Sequence, residues 1–198
     1  MKKYAAIVLA AGLSSRMENA HKLLIHLDGQ TIFEHTLESI CKANFSEVIV
    51  VLGKEAAALE PIAKTFPKAK IVFNPKFDQG MTSSIQAGVE NAISEVYAIC
   101  LADMPSLTSE DYNRLITNFE KLTDGKDILL PMVKGEKGNP VFFSGYYKDD
   151  ILAHQIPNGC SAIVRENSEK VNFFKTDNIH FSFDIDTKED LERWKNAE

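Results

Sequence analysis

Residues 4–24 read YAAIVLAAGLSSRMENAHKLL, and this stretch decides the fold class. Its first part, residues 4–11, is a continuous apolar run, which is typical of a strand buried on both faces of a parallel sheet. The run passes directly into a loop that contains one glycine, two serines and the cations Arg16 and Lys22. In open parallel sheets, ligands bind beyond the carboxyl ends of the strands. The stretch therefore predicts an α/β protein whose first strand ends at a binding loop.

Strand-like and helix-like patterns alternate along the first two thirds of the chain. Continuous apolar runs predict further buried strands at residues 47–53, 70–74, 96–103 and 127–133. Helical spacing of apolar residues predicts helices at residues 31–44, 56–66, 81–93 and 108–122. Two of these helices open with a capping-box pattern, Thr31 with Glu34 and Thr108 with Asp111. The alternation predicts a single domain over residues 1–198 with a doubly wound, Rossmann-like and mostly parallel sheet.

The last third of the chain is less regular. Strand-like patterns occur at residues 138–143, 171–174 and 180–183, and helix-like patterns occur at 161–166 and 187–194. We expect this elaborated C-terminal part to extend the sheet and to close over one of its edges.

Composition excludes several classes of protein. The 198 residues are 44% hydrophobic and 25% charged, with a net charge of −6 at pH 7, so nucleic acid is not an expected partner. No apolar run is long enough to cross a bilayer, and no signal-peptide pattern is present. The three cysteines are widely spaced without a metal-binding pattern. We expect a cytoplasmic protein that has reduced thiols and no membrane association.

The loop after the first strand has the composition of a phosphate-binding loop. Gly12 permits a tight turn with free backbone N–H groups, Ser14 and Ser15 are small and polar, and Arg16 and Lys22 supply positive charge. The loop matches neither the Walker A pattern nor the GxGxxG dinucleotide turn. It indicates a triphosphate site, with an ordinary strand-to-helix turn and solvated charges as the alternative.

Three aspartates are candidates for a metal site. Asp103 follows an apolar strand in the segment LADMP, residues 101–105, and a carboxylate there could hold Mg²⁺ together with nucleotide phosphates. Asp184 and Asp186 are two residues apart in an apparent strand, so their side chains are expected on one face. The alternatives are a turn or helix-cap role for Asp103 and a cap of the last helix by Asp186 or Thr187.

Five segments in order resemble one family. LAAGLSSRM followed by Lys22 and KLLIHLDGQTIFEHTL is similar to the opening signature of MobA-like nucleotidyltransferases. NPKFDQGMTSSIQAGV, LADMPSL, KGEKGNPVFF and DIDTKEDLERW resemble the later signatures of that family. The resemblance runs from residue 5 to residue 194, which is nearly the whole chain.

The resemblance implies both a fold and an activity. The fold is the nucleotide-diphospho-sugar transferase type. The sequence most resembles molybdenum cofactor cytidylyltransferases, which transfer CMP from CTP to molybdopterin and release pyrophosphate. The motif LAAG, residues 9–12, resembles the cytidine-using branch, and LAGG resembles the guanosine-using branch. A molybdoenzyme or its maturation factor is the candidate protein partner.

The resemblance also implies roles for individual residues. Arg16, Lys22 and Asp103 would be catalytic, with Arg16 on the β and γ phosphates and Lys22 on the α-phosphate. Asp103, Asp184 and Asp186 would form the Mg²⁺ site, and Asn139 and Pro140 would shape the acceptor side. The full nucleotide-binding set implied by the resemblance is Leu9, Ala10, Ala11, Gly12, Ser14, Ser15, Arg16, Lys22, Gly80, Met81, Ser84 and Asp103.

The sequence departs from the family pattern in two places. Glu18 stands where relatives commonly have glycine. In IPNGCSAIV, where relatives often show GDxGAR, Gly159 is kept, but Pro157 and Ser161 replace the aspartate and the arginine. Two alternative functions therefore stay open: a MobA-like transferase that uses GTP or another phosphorylated acceptor, and a non-catalytic molybdopterin-binding chaperone.

Overall fold

The computed structural model describes residues 2–12, 22–185 and 188–195. The predicted site residues Ser14, Ser15, Arg16 and Asp186, as well as Glu18, lie outside the described residues.

The described elements follow the predicted alternation of strands and helices. The strands are β1 (Tyr4–Ala10), β2 (His26–Leu27), β3 (Gln30–Thr31), β4 (Glu47–Leu52), β5 (Ala69–Phe73), β6 (Val96–Leu101), β7 (Ile128–Val133), β8 (Glu136–Lys137), β9 (Val141–Ser144) and β10 (Val171–Thr176). The helices are α1 (Ile32–Lys42), α2 (Ala56–Ala63), α3 (Met81–Glu90), α4 (Ser109–Glu120), α5 (Lys148–Ala153), α6 (Ser161–Glu166) and α7 (Lys188–Lys195).

One eight-stranded sheet forms the centre of the fold. Its order is β10-β7-β9-β6-β1-β4-β5, and β8 pairs with β7. β1 runs parallel to β4 and β6, β4 runs parallel to β5, and β7 runs parallel to β10. β9 runs antiparallel to both of its neighbours, and β8 runs antiparallel to β7. The prediction of a mostly parallel sheet is confirmed.

Helices cover both faces of this sheet. Ala6 and Val8 of β1 pack into a core cluster that includes side chains of α1, α2 and α4. Ala5 and Ile7 face the opposite side, where they pack with side chains of α3, α5 and α6. Because successive strand residues point to opposite faces, the continuous apolar run of β1 supplies both cores. The doubly wound architecture is confirmed.

Both predicted capping boxes are present. The Thr31 hydroxyl accepts a hydrogen bond from the Glu34 backbone N–H at 3.1 Å, and the Glu34 carboxylate accepts one from the Thr31 N–H at 2.7 Å. Thr108 and Asp111 make the same reciprocal pair at the start of α4. These bonds satisfy N–H groups that have no partner inside the helix, so they fix where α1 and α4 begin.

The antiparallel strand β9 brings its preceding residues to the binding edge of the sheet. β9 lies between β6 and β7, and its first residue, Val141, is in register with Ile99 of β6. An antiparallel strand begins at the edge where its neighbours end. Residues 138–140 therefore lie at the same edge as the carboxyl ends of β6 and β7.

Two predictions in the C-terminal part are wrong. The predicted strand at 180–183 is mostly a 3₁₀ helix, Ile179–Ser182, in which the Asn178 side chain accepts a hydrogen bond from the His180 N–H at 3.1 Å. Phe181 is fully buried, which explains the strand-like pattern. Asp184 also does not lie in a strand, because Phe183–Ile185 belongs to no regular element; its predicted alignment with Asp186 lies outside the described residues. β10 does extend the sheet, as expected.

None of the helices in the described ranges combines the length and the hydropathy that a bilayer crossing requires.

Candidate active site

A cavity of about 320 Å³ lies at the carboxyl ends of β1 and β6. We call it the nucleotide cavity. The residues that line it are Leu9, Ala11, Gly12, Phe77, Asp78, Gly80, Met81, Ser84, Leu101 and Asp103. Three segments that are far apart in sequence, the end of β1, the start of α3 and the end of β6, thus meet at one place. Most of the described residues predicted to bind nucleotide belong to this wall.

Ala10 is a predicted nucleotide-binding residue whose side chain lies elsewhere. It is buried and packs in the core cluster of α1, α2 and α4, on the opposite side of the sheet from Ala11. Because neighbouring residues in a strand point to opposite faces, Leu9 and Ala11 reach the cavity and Ala10 does not. Only the backbone of Ala10 remains a candidate contact.

The start of α3 is held in place by a buried asparagine. Asn74, which follows β5, donates side-chain hydrogen bonds to the Ser83 hydroxyl at 2.9 Å and to the Ser84 hydroxyl at 3.1 Å. Gly80 precedes the helix with φ +95°, a conformation that favours glycine. Two turns later, a Cβ on Gly88 would stand 2.2 Å from Ile7 Cγ2, so α3 packs very closely on β1. These contacts fix Met81 and Ser84 at the cavity wall.

A glycine at the end of β4 allows the cavity wall to close. A Cβ on Gly53 would lie 2.7 Å from Phe77 Cβ and 2.8 Å from Ala11 Cβ. Real Cβ atoms do not approach so closely, so Gly53 permits the contact between the end of β1 and the segment before α3. Ala11 is almost fully buried there, and its methyl group occupies part of the space next to Phe77.

Lys22 and Asp103 form an ion pair beside this cavity. Lys22 Nζ donates a hydrogen bond to Asp103 Oδ2 at 2.5 Å, and the side chains are only 13% and 16% exposed. Lys22 lies in a 3₁₀ turn, Lys22–Leu24, and Asp103 follows β6. The predicted phosphate-binding lysine and the predicted metal-binding aspartate are therefore in direct contact.

Asp103 also has an oxygen available to a ligand. Its Oδ1 atom is buried and has no hydrogen-bond partner among the described residues. A buried carboxylate oxygen without a partner is costly, and a bound cation would remove that cost. The observation fits a metal-binding role for Asp103, which lies in the turn after β6, as one of the alternatives expected.

The C-terminal segment brings Asp184 towards the same site. The backbone N–H of Ile185 donates a hydrogen bond to the backbone oxygen of Asp103 at 3.1 Å. Asp184 is therefore adjacent in sequence to a residue bonded directly to the end of β6. Three or more metal-ligating side chains do not cluster anywhere in the described part of the chain. Two carboxylates suit Mg²⁺, which takes few protein ligands and fills its other positions with phosphate oxygens and water.

A second cavity of about 270 Å³ adjoins the first, and we call it the acceptor cavity. Met81 and Leu101 line both cavities. The other residues of its wall are Ile85, Ile99, Leu130, Lys137, Gly138, Asn139, Val141, Phe143, Asn158, Gly159, Cys160, Ser161 and Val164. The wall thus combines an apolar floor from β6, β7 and β9 with a polar rim from the segments before β9 and α6.

Asn139 lines the acceptor cavity as predicted, and Pro140 does not. Pro140 is buried behind the wall, and the peptide bond between the two residues is cis. The Asn139 N–H donates a hydrogen bond to the Phe181 backbone oxygen at 2.7 Å. A Cβ on Gly138 would lie 2.3 Å from that oxygen, so glycine is required for this contact. The C-terminal segment thus supports both Asp103 and Asn139.

No activated thiol is present at either cavity among the described residues. Cys160 lines the acceptor cavity, but burial raises its pKa to about 12. Burial also raises the pKa of Cys100 strongly. Both groups therefore stay protonated at neutral pH and are poor nucleophiles. All three cysteines are free thiols, as expected.

Several cavity residues were not identified from the sequence. Phe77 and Asp78 lie in the segment NPKFDQGM, which was singled out for its glycine and its helix start. The sequence signal that could have identified these two cavity residues was an aromatic residue and a carboxylate shortly before Gly80. Gly53 and Leu101 were assigned only to strands, and their role at the cavity depends on contacts between distant segments.

The structure is a doubly wound α/β fold of the nucleotide-sugar transferase type, with two adjoining cavities at the carboxyl ends of its strands. The MobA-like NTP transferase domain matches residues 6–171. The chain belongs to this family of nucleotidyltransferases.

Two relatives have names that refer to different nucleotides. The chain is 35% identical, over 66% of its length, to a probable molybdenum cofactor guanylyltransferase of Methanosarcina acetivorans and spans 57% of that relative. It is 26% identical to the molybdenum cofactor cytidylyltransferase of Escherichia coli, with 96% of this chain and 95% of that one covered.

Solved structures of low sequence identity share the fold. The Mycobacterium tuberculosis protein Rv0371c superposes with a TM-score of 0.84 at 21% identity, covering 98% of both chains. A structure of the same protein in complex with manganese superposes with a TM-score of 0.80 at 20% identity over the whole of both chains.

Proposed function

We propose that the protein transfers CMP from CTP to the terminal phosphate of molybdopterin, producing the cytosine dinucleotide form of the cofactor and pyrophosphate. The observation that carries this proposal is the pair of adjoining cavities with a shared wall, Met81 and Leu101. A group transfer between two substrates requires two such sites in contact, with the reacting atoms at their junction. We extend the proposal to residues 1–198 as one transferase domain that acts in the cytoplasm.

The nucleotide would lie across the carboxyl ends of β1 and β6. Gly12 is exposed, and a Cβ there would meet no atom of the described residues within 4 Å, so the backbone would be able to approach phosphate oxygens closely. Lys22 would contact the α-phosphate, and Arg16 would contact the β and γ phosphates. The start of α3, with Gly80, Met81 and Ser84, would hold the base and the ribose.

Asp103 and Asp184, with Asp186 as a further candidate ligand, would hold one Mg²⁺ ion. The unpartnered Oδ1 atom of Asp103 supports this assignment, and the manganese complex of a protein with the same fold is consistent with it. When bound, the ion would neutralise negative charge on the nucleotide phosphates. Lys22 now pairs with Asp103 and would then turn towards the α-phosphate.

The reaction needs no covalent enzyme intermediate. An oxygen of the acceptor phosphate would form the new bond to the α-phosphorus of CTP, while the bond from that phosphorus to the bridging oxygen breaks and pyrophosphate leaves. The protein would align the two groups and stabilise the charge that develops on the α-phosphate oxygens. The raised pKa of Cys160 supports this direct transfer, because that thiol stays protonated.

The choice of cytosine rests on Ala11. Its methyl group lies at the cavity wall beside Gly53 and reduces the space for a base. A pyrimidine is smaller than a purine and suits a narrower cavity. Asp78 lines the same cavity, and its carboxylate could accept a hydrogen bond from the amino group of cytosine.

GTP is the second candidate nucleotide. Its support is the relative at 35% identity, which is named a probable guanylyltransferase. Ala11→Gly provides the structural test of the choice, because it removes the methyl group from the wall. We expect this variant to gain activity with GTP relative to CTP.

The acceptor would occupy the second cavity. Its apolar floor suits a flat ring system, and the rim offers Asn139, Asn158 and Ser161 as hydrogen-bonding partners. Lys137 is the only cation among the described residues that line it, and we assign it to the acceptor phosphate. A molybdoenzyme or its maturation factor would then receive the product.

A pyrophosphate-release assay tests the proposal directly. Each of the four nucleoside triphosphates is supplied with Mg²⁺, with and without molybdopterin, and Asp103→Asn serves as the inactive control. We expect release with CTP only when molybdopterin is present. Release with GTP in place of CTP would move the protein to the second candidate. An absence of release with all four nucleotides would overturn the proposed function.

A further inference from the structure

A buried threonine ties one wall of the acceptor cavity to helix α3. The Thr82 hydroxyl donates a hydrogen bond to the Ile156 backbone oxygen and accepts one from the Gly159 N–H at 3.0 Å. The Thr82 N–H donates a third bond to the Pro157 oxygen at 3.3 Å. Thr82 is only 4% exposed. One side chain therefore connects residues more than seventy positions away to the first turn of α3.

Besides the bonds to Thr82, few contacts with other described residues hold the linked segment, residues 155–159. Gln155, Ile156, Pro157 and Asn158 are all exposed to solvent, so apolar burial does not anchor them. The Gln86 side chain holds the chain just before this segment through bonds to the carbonyls of residues 151, 152 and 154. The position of residues 156–159 themselves depends on the bonds to Thr82.

Two glycines make this close approach possible. Gly80 has φ +95°, and a Cβ there would lie 2.7 Å from the Pro157 oxygen. Gly159 has φ +71°, and a Cβ there would lie 3.0 Å from Met81 Sδ. The backbone of α3 and the cavity wall are thus in contact, and Met81, which lines both cavities, lies beside them.

Thr82 does not belong to either substrate site. Among the described residues that line the two cavities, Gly80, Met81 and Ser84 are present and Thr82 is not. Its hydroxyl also does not cap its own helix, because both of its hydrogen bonds go to the segment 156–159. The hydrogen bonds of Thr82 therefore serve to hold the wall of the acceptor cavity.

We propose that Thr82 is a positioning residue that sets the acceptor wall, with Asn158, Gly159 and Ser161, against the helix that holds the nucleotide. This inference rests on the proposed function and deepens it. Because the reacting phosphates must meet at the junction of the two cavities, a wall free to move weakens the productive binding of the acceptor. None of residues 155–159 lines the nucleotide cavity among the described residues, so we expect nucleotide binding to stay unchanged.

The kinetic test compares three variants. Thr82→Val keeps the shape and removes both hydroxyl bonds, Thr82→Ser keeps the hydroxyl, and Thr36→Val is the matched control. Thr36 is a buried threonine whose hydroxyl donates one bond inside α1, on the opposite face of the sheet. We expect Thr82→Val to raise the KM for molybdopterin about tenfold, with the dissociation constant for CTP changed by less than about twofold. Thr82→Ser and Thr36→Val should resemble the unchanged protein.

Amide exchange supplies a readout that does not depend on activity. The Gly159 N–H bonds directly to the Thr82 hydroxyl, so its exchange should accelerate about tenfold in Thr82→Val and stay unchanged in Thr36→Val. Equal exchange in all variants, or an equal loss of CTP and acceptor binding, would overturn the role of Thr82. If the unchanged protein does not use molybdopterin, the proposed function fails, and the Gly159 exchange still decides whether Thr82 holds the wall.

Discussion

The nucleotide cavity and the acceptor cavity share a wall but are built in different ways. The nucleotide cavity is formed where the parallel strands β1 and β6 end and helix α3 begins. The acceptor cavity has a floor from β6, β7 and β9, and its rim is formed by the residues before β9 and by the segment that leads into α6. The position of this rim depends on hydrogen bonds between distant segments.

This difference separates two tasks. Asp103 lies in the turn after the buried strand β6, where its side chain pairs with Lys22. Among the described residues, one hydrogen bond holds the backbone N–H of each of two acceptor-cavity residues. The Asn139 N–H donates to the Phe181 oxygen, and the Gly159 N–H donates to the Thr82 hydroxyl. We expect catalytic chemistry to depend on the first region and acceptor selection to depend on the second. Substitutions in the two regions should therefore change different kinetic constants.

The largest effect is expected from the metal-binding carboxylates. Asp103→Asn removes the charge of the carboxylate with the unpartnered Oδ1, and turnover should fall by roughly a thousandfold or more. Asp184→Asn should have a similar effect. If both hold one ion, the double variant should be little worse than either single variant, since residues that act as a unit are not additive. Single-turnover kinetics would measure this, and multiplicative losses would contradict a shared ion.

The next effect is expected from Lys22. Lys22→Ala removes a cation from the nucleotide cavity, and turnover should fall by roughly two to three orders of magnitude. The CTP dissociation constant should change less, because the α-phosphate gains most of its charge in the transition state. Steady-state kinetics with calorimetric CTP titration would separate the two quantities. A pure loss of CTP affinity with normal turnover would assign Lys22 to ground-state binding.

A smaller effect is expected in the acceptor cavity. Lys137→Ala should raise the KM for the acceptor about tenfold and leave CTP binding unchanged, because a charge-assisted contact to the acceptor phosphate is lost. Lys134→Ala is the matched control, since Lys134 lies in the turn of the same β7–β8 hairpin, is also exposed and does not line the cavity. Equal effects of the two substitutions would mean that Lys137 contributes only general positive surface charge and no specific contact to the acceptor.

The smallest effect is expected far from both cavities, at the capping box of α1. The Thr31 side chain and backbone hydrogen bonds lower the pKa of the Glu34 carboxyl. A lowered pKa in the folded state stabilises the fold at pH values above the ordinary value of 4.5, and this contribution is lost as the pH falls through the folded-state pKa. Thr31→Ala should therefore reduce the free energy of unfolding by about 1 kcal/mol at neutral pH, and less in acid.

Urea unfolding at neutral and acid pH would measure this difference, with Thr31→Ser as the control that keeps the hydroxyl group. Kinetic constants at both cavities should stay unchanged. A pH-independent difference would mean that Glu34 takes no part in the stabilisation by Thr31.

The nucleotide cavity was predicted well because its residues follow strands. Gly12, Gly80 and Asp103 each lie at a boundary that apolar runs and turn residues mark in the sequence. Parallel strands bring such boundaries to one edge, so sequence order alone places them together. The order of strands across the sheet could not be predicted in the same way, since it depends on which strands pair.

The acceptor cavity was predicted only in part because its contacts are long-range. Asn139 was identified through the resemblance, whereas Thr82 has no pattern that reports its bonds to residues 156–159. The segment 180–183 misled the strand prediction because its alternating apolar residues include one, Phe181, that is buried by a 3₁₀ helix. The spacing of apolar residues along the chain does not distinguish such a 3₁₀ helix from a strand.

We propose that Asp103 and the C-terminal segment hold one divalent ion together with the nucleotide. Electron paramagnetic resonance of Mn²⁺ in the presence of CTP tests this metal site most directly, with Asp103→Asn and Asp184→Asn compared with the unchanged protein. We expect one Mn²⁺ bound per chain when CTP is present, and a loss of that binding of about tenfold or more in each variant. Mn²⁺ binding in the CTP complex that is unchanged by Asp103→Asn would contradict it.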